Sequence, residues 1–385
     1  MAKECGGGDG FINPLTRDDA MKYIDGFRNP AVAKGIRAKV DSLASGLQSR
    51  ARPIHIMEVC GSHTMAIARY GIRDVLPGNV NLISGPGCPV CVTPTSYVDV
   101  AIALAERGIM VVSFGDMIQV PGSVSTLAEC RSRAGQIEVG YSPTRAIELA
   151  EANPDREVVF LAIGFETTTA PVIAMVDQAI GRGLKNLSLM TAFKLVPPAL
   201  TALLADPEIR IDAFLCPAHV SAIIGADAYR PFVEQYKVPC VIAGFEPLDI
   251  LYGIQGILEQ MTQGKADVVN HYSRVVTAQG NLHAQTLMAK YLEPVDAAWR
   301  GIGVLPKSGL GLRAEFSAYD AEKKYGVTVA LGSENPACAC GEVLKGKRRP
   351  PDCALFGTTC TPEHPVGPCM VSTEGTCSAY FKYLR

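Results

Sequence analysis

The chain has no apolar run long enough to span a bilayer: its longest stretches, such as 158–163, fall far short of the roughly 20 residues a membrane helix requires. Beyond residues 345–349 it has no block of lysine or arginine, and 36 basic against 38 acidic residues leave a formal net charge of −2. It therefore lacks the electrostatic footprint of a nucleic-acid-binding protein, and the short basic run reads as a solvated loop. The first fifteen residues carry glycines and Asp9 but no apolar centre, so they do not read as a secretory signal. After Cys91 no close C-x-x-C pair occurs, which removes the usual spacing of a zinc knuckle. Together these absences read as a soluble cytoplasmic protein without a membrane or nucleic-acid partner.

What is present is globular: 48% hydrophobic and 19% charged over 385 residues, a length that predicts two or three domains. Thirteen cysteines are many for a reducing compartment, where clustered thiols bind metal or do redox work more often than they form structural disulfides. Six of them (Cys338, Cys340, Cys353, Cys360, Cys369 and Cys377) crowd the C-terminal tail. Cys60, Cys88 and Cys91 sit in glycine-rich turns nearer the N-terminus, and Cys5, Cys130, Cys216 and Cys240 are scattered and read as small hydrophobes or surface thiols.

Short aliphatic runs at 54–59, 80–84, 109–113, 158–163, 187–191, 213–216 and 238–243 end in turns and alternate with helical patterns. Helices are expected at 97–107, at 143–152 behind Ser142 and Pro143, and at 246–261, where Leu248, Leu251, Ile254, Leu258 and Met261 repeat at a helical period. Such alternation predicts parallel sheets covered by helices. A loose internal likeness, 58–67 with 162–174 and 111–117 with 241–250, reads either as a duplication or as the common look of strand–turn–helix units. The expected fold is therefore α/β. Residues 1–50 form a helical extension, 51–140 and 141–293 form two related α/β domains facing a cleft, and 294–385 form a small C-terminal domain held by metal.

In open α/β sheets, ligands bind beyond the carboxyl ends of the strands, and the polar motifs fall there repeatedly. Cys60-Gly61-Ser62-His63-Thr64 follows the first strand, and Gly85-Pro86-Gly87-Cys88-Pro89-Val90-Cys91 follows the second. Cys88 and Cys91 are spaced for a soft metal or for a dithiol–disulfide couple, stiffened by two prolines. His63 is placed to share a metal with Cys60 or to raise its thiolate fraction, or to serve as a hydrogen-bonded loop histidine. Asp116, Glu166 and His219 are candidates for acid–base or hydrogen-bonding roles, or for capping and bracing. The tail has thiols enough for an iron–sulfur cluster, with two left over, and its spacing favours that over structural zinc.

Taken together, CGSHT, GPGCPVCVTP, FGDMIQVPGS, GFETT, CPAHVS and the tail from Cys338 to Tyr380 resemble the HypD hydrogenase maturation family, in that order. The resemblance implies that a C-x14-C-x6-C-x16-C pattern selects Cys338, Cys353, Cys360 and Cys377 as ligands of a 4Fe-4S cluster. Cys340 and Cys369 then become a redox-active pair, and Cys60, Cys88 and Cys91 match positions that hold iron or exchange electrons. It also implies an assembly scaffold more than a turnover enzyme. With the partner HypC, such a scaffold carries a mononuclear iron while two cyanides, delivered from a thiocyanate on HypE, and one carbon monoxide are added to it. The nearest alternative is an iron–sulfur-dependent thiol–disulfide oxidoreductase; a binding module with structural zinc is a second.

Overall fold

The computed structural model describes residues 25–329 and 334–384. Cys5 and the rest of 1–24 lie outside them, and no helix among the described residues is long and apolar enough to cross a membrane.

Eleven strands among the described residues form two sheets. They are β1 (Ile54–Glu58), β2 (Val80–Ser84), β3 (Met110–Ser113), β4 (Ile137–Val139), β5 (Val158–Gly164), β6 (Leu187–Lys194), β7 (Ala213–Pro217), β8 (Cys240–Ala243), β9 (Val268–Asn270), β10 (Leu292–Trp299) and β11 (Gly303–Leu312). The first sheet has the order β2-β1-β7-β8-β9 and is wholly parallel. The second has the order β10-β11-β6-β5-β3-β4, parallel from β6 to β4 and closed on one edge by the antiparallel β10–β11 hairpin. The expected α/β class with mainly parallel sheets is what the chain forms.

Each sheet is apolar on both faces because helices cover both. Strand alternation divides the residues cleanly. Ile54, Ile56, Leu215 and Val241 pack on the outer side of the first sheet, and Val112, Val158, Phe160 and Ala162 on the outer side of the second. Their neighbours in sequence, Met57, Phe214, Cys216 and Ile242 from the first sheet and Val111, Val159 and Leu161 from the second, enter one common core with Tyr97, Phe165 and Trp299. Cys340, Cys360, Cys369 and Cys377 of the tail belong to that same core. The tail is therefore packed as part of the molecule's centre.

The helix Pro30–Gly46 starts where Asn29 accepts from Ala31 and Val32. Its stripe of Ile36, Val40 and Ala44 is buried, and the helix packs on the helix Pro247–Thr262 over the first sheet. The expected ranges 51–140 and 141–293 do not correspond to the two sheets, because each sheet takes strands from both. The chain leaves the first sheet after β2, builds β3 to β6, returns for β7 to β9, and leaves again for β10 and β11. Local pattern sets which segments become strands; pairing partners are chosen by tertiary packing. A break at 294 likewise falls inside β10. That hairpin carries several glycines and prolines, is half-exposed, and is irregular between Val295 and Ala297, so it shows no apolar run to read.

Candidate functional site

Cys60 lies just past the end of β1 and is the N-cap of the helix Gly61–Arg69. The GPGC turn after β2 lies directly on it. The Gly61 amide donates to Gly87 O at 3.1 Å, and a Cβ on Gly87 would fall 2.3 Å from Cys60 N and 2.4 Å from its Cα. Only glycine allows that approach. Cys88 caps the next turn, Pro89–Val92, and is joined to Cys91 in a disulfide whose Cys88 Sγ accepts the Cys91 amide at 3.1 Å. The neighbouring strand order β2-β1 thus sets the single thiol and the disulfide side by side.

Burial pushes the Cys60 thiol up to about 12, and the Glu374 carboxylate adds to the push; the backbone amides of His63 and Ser62 offset part of it. At neutral pH the sulfur therefore keeps its proton. Cys60 Sγ stands 3.8 Å from Nε2 and 3.9 Å from Nδ1 of His219, which follows β7. Burial lowers His219 to about 4, so this imidazole is neutral and available as a donor atom.

His63 faces elsewhere. Its Nε2–H donates to Gly244 O at 2.9 Å and Ala243 O at 3.2 Å, at the end of β8, and burial lowers it to about 4. Its backbone reaches the Cys60 sulfur, while its ring is separated from His219 by Phe245, whose ring centroid is 4.8 Å from His63 and 5.0 Å from His219. Asp116 lies beyond β3, and burial raises its carboxyl; its charge is felt at Glu374. Glu166 opens the helix after β5, at the carboxyl end of the second sheet. Its Oε1 accepts the Val196 amide at 3.0 Å, Oε2 is buried without a partner, and burial raises it to about 7. Its hydrogen-bond partner is the Val196 amide, not a thiol.

The tail sits on this site. The Ser62 hydroxyl donates to Glu374 Oε1 at 2.7 Å, and a Cβ on Gly61 would meet Glu374 Cβ at 2.4 Å. Glu374 was not singled out from the sequence; its one signal was its place three residues before Cys377. The helix Thr376–Tyr383 packs on Gly61–Arg69, and the helix Pro368–Val371, which carries Cys369, packs on the disulfide turn Pro89–Val92.

Within the tail, Cys340 makes thiol contacts with Cys338, Cys369 and Cys377, and Cys369 with Cys377. Hydrogen bonds from Cys340 and Cys369 lower Cys377 to about 6, while the contacts with Cys340 and Cys377 push Cys369 well up. Cys360 Sγ accepts the Val366 amide at 3.3 Å. Cys353 is half-buried at the end of the turn Pro350–Asp352 and is not among these contacts. Among the described residues no three His, Cys, Asp or Glu side chains stand as a ready metal site. The donor chemistry nevertheless suits an iron–sulfur group, and a Cβ on Gly367 would fill the space 2.5 Å from Cys340 Sγ and 2.8 Å from Cys338 Sγ. Cys216 and Cys240 are buried on the inner face of the first sheet, consistent with small hydrophobes.

A family model named HypD and described as a hydrogenase formation hypA family matches residues 32–384. The chain is 47% identical over 373 residues to the hydrogenase maturation factor HypD of Azotobacter vinelandii, covering 95% of this chain and 97% of that one. It is 46% identical over 374 residues to the factor of the same name from Rhizobium leguminosarum bv. viciae, covering 95% and 96%. A putative hydrogenase expression/formation protein of Methanocaldococcus jannaschii is 41% identical over 355 residues, covering 92% and 98%. Matches of that identity along nearly the whole of each chain show that this chain belongs to the HypD family of hydrogenase maturation factors.

Proposed function

We propose that this maturation factor carries one iron ion as cargo at Cys60 while cyanide and carbon monoxide are added to it, and that its other thiols supply the electrons. One juxtaposition carries the reading. A buried, protonated thiol lies against a disulfide turn, and that turn lies against the helix of a second thiol set. His219 offers a neutral nitrogen beside the sulfur, and the partner HypC shares the iron through a thiolate of its own. Asp116 and Glu374 are the acids facing this centre, and Glu166 braces the second sheet.

The electron count supports a dithiol. When Cys88 and Cys91, as the reduced pair, close to a disulfide, they release two electrons and two protons. A thiocyanate R–S–CN on HypE takes them up by breaking its S–C bond, leaving R–SH and hydrogen cyanide, which loses its proton on binding iron. Cys340 and Cys369 then reopen the disulfide by thiol–disulfide exchange, for which the packing of Pro368–Val371 on Pro89–Val92 is suited. A 4Fe-4S cluster held by Cys338, Cys353, Cys360 and Cys377 supplies single electrons when bound. The setting is the cytoplasm, where such thiols stay reduced.

The test is Cys60→Ala, purified without oxygen in complex with HypC and read by infrared absorption of iron-bound cyanide and carbonyl. The bands are expected to vanish; bands of normal strength remove Cys60 from the iron. The closed Cys88–Cys91 disulfide also favours a thiol–disulfide oxidoreductase acting on protein substrates. That alternative predicts no such bands in the wild-type complex under any loading.

A further inference from the structure

The helix Thr95–Glu106 starts without a cap. Pro94 stands before it and has no polar side chain to accept its first amides, and no acid lies in its first turn. Its 12 residues of aligned peptide dipoles therefore end in an uncompensated positive pole. Thr95, the first residue of the helix, is 4% exposed, and its hydroxyl oxygen is buried without a partner.

A second positive group reaches the same place from a distant segment. Arg300 directly follows β10 and is 5% exposed. Its backbone amide donates to Val92 O at 2.8 Å and its Nε to Thr93 O at 3.0 Å, which ties the guanidinium to the residues leading into the helix. Nη2 of Arg300 is buried without a partner, and no carboxylate among the described residues pairs with it, the exposed Glu334 of the same cavity included. A buried cation without a counter-charge is heavily penalised. Thr95 and Arg300 line one cavity of about 500 Å3. Two unpartnered donors and a bare helix pole thus meet at one hollow, and the charge they lack is negative.

We propose that this cavity binds a small oxyanion, a phosphate or a carboxylate, through the Arg300 guanidinium, the Thr95 hydroxyl and the first amides of the helix Thr95–Glu106. All three offer hydrogens to a ligand that only accepts them, and a planar guanidinium matches two oxygens at once. A neutral ligand would leave the buried charge unbalanced, and a cation would be repelled. The site uses no thiol and no iron.

The test is thermal unfolding of the full chain, prepared without oxygen, in sodium phosphate, sodium acetate and sodium chloride at one pH and one ionic strength. An anion that binds only the folded chain raises the midpoint as its concentration rises. Wild type is expected to rise above its chloride value in phosphate or in acetate, and the stronger of the two names the ligand as phosphoryl or carboxylate. Phosphate also stabilises folded chains in general by exclusion from their surface, so the part owed to the site is the part that variants remove. Arg300→Gln takes away the charge and keeps a donor for Thr93 O; it is expected to weaken the apparent affinity about tenfold or more. Thr95→Val keeps the shape and loses the hydroxyl, at about fivefold. No rise above chloride in wild type, or an undiminished rise in R300Q, overturns the proposal. If R300Q does not fold, T95V decides: an undiminished affinity in T95V overturns the proposal.

Discussion

Around Cys60, Cys88 and Cys91 the sulfur atoms hang from the ends of β1 and β2, whose parallel ladder runs Ile54↔Val80 to Glu58↔Ser84. The tail thiols hang instead from loops and from helices of four to eight residues, such as Pro368–Val371, Cys340–Leu344 and Thr376–Tyr383. At the strand ends, backbone hydrogen bonds and a glycine contact set positions before any side chain is considered. In the tail, position depends more on what side chains touch: thiol on thiol, Ser62 on Glu374, and Lys347 on Asp206 and Glu208. The comparison teaches that a regular frame holds its site without a ligand, whereas the tail borrows its order from the frame and from whatever its thiols bind.

The seam is where the difference is largest. Glu58, fully buried on β1, accepts from Arg73 Nη2 at 2.6 Å and from the Ser84 hydroxyl at 2.8 Å, and the Arg73 guanidinium lies 5.3 Å from the Tyr380 ring of the tail. Arg73→Met leaves a buried carboxylate unpaired, a class of change that costs about 3–5 kcal/mol. Urea unfolding is expected to show that loss, and limited proteolysis should cut the tail before the sheets. Simultaneous cutting of both would erase the proposed division between frame and tail.

The frame carries its own pH response. Glu166 is raised to about 7 by burial, against an ordinary value near 4.5. Between those values the folded chain keeps a proton that the unfolded chain has lost, so stability falls as pH rises from about 4.5 to 7 and then levels off. The drop is about 3 kcal/mol from a shift of that size. Glu166→Gln imitates the protonated form. It is expected to match wild type near pH 5 and to be the more stable protein near pH 8, with the slope between them flattened. An unaltered slope, measured by denaturant unfolding across that range, would show that Glu166 is not what titrates.

The frame was largely legible because its signals are local: β2 runs 80–84 as read, the helix expected at 246–261 is Pro247–Thr262, and CGSHT and the C-x-x-C do meet at neighbouring strand ends. Sheet membership was not legible, since β7 pairs with β1 across 157 residues of chain, Ile56 with Ala213. Nor was the choice between histidines. His63 is three residues from Cys60, but a helix beginning at Gly61 turns its ring towards Gly244 O, and His219 reaches the sulfur from another strand. In the tail the cysteines were countable but their neighbours were not. Cys340 meets Cys369 from 29 residues away, and Glu374 matters only through its contact with Ser62 on a distant segment.

Two glycines put the comparison to its finest test. A Cβ on Gly87 meets the backbone of Cys60 at 2.3, 2.4 and 2.7 Å, whereas a Cβ on Gly367 meets Cys340 Sγ at 2.5 Å and Cys338 Sγ at 2.8 Å. Backbone held in a sheet-end turn cannot retreat without disturbing β1, and overpacking of that kind costs about 1–3 kcal/mol. A thiol swings aside about one bond, so Gly367→Ala is expected to lose under about 1 kcal/mol, part of it returned by the stiffer unfolded chain. Gly87→Ala should therefore be the less stable variant, and Gly367→Ala the one with less bound iron and sulfide per chain. Equal unfolding midpoints for the two variants would mean that the tail is as rigidly framed as the strand ends.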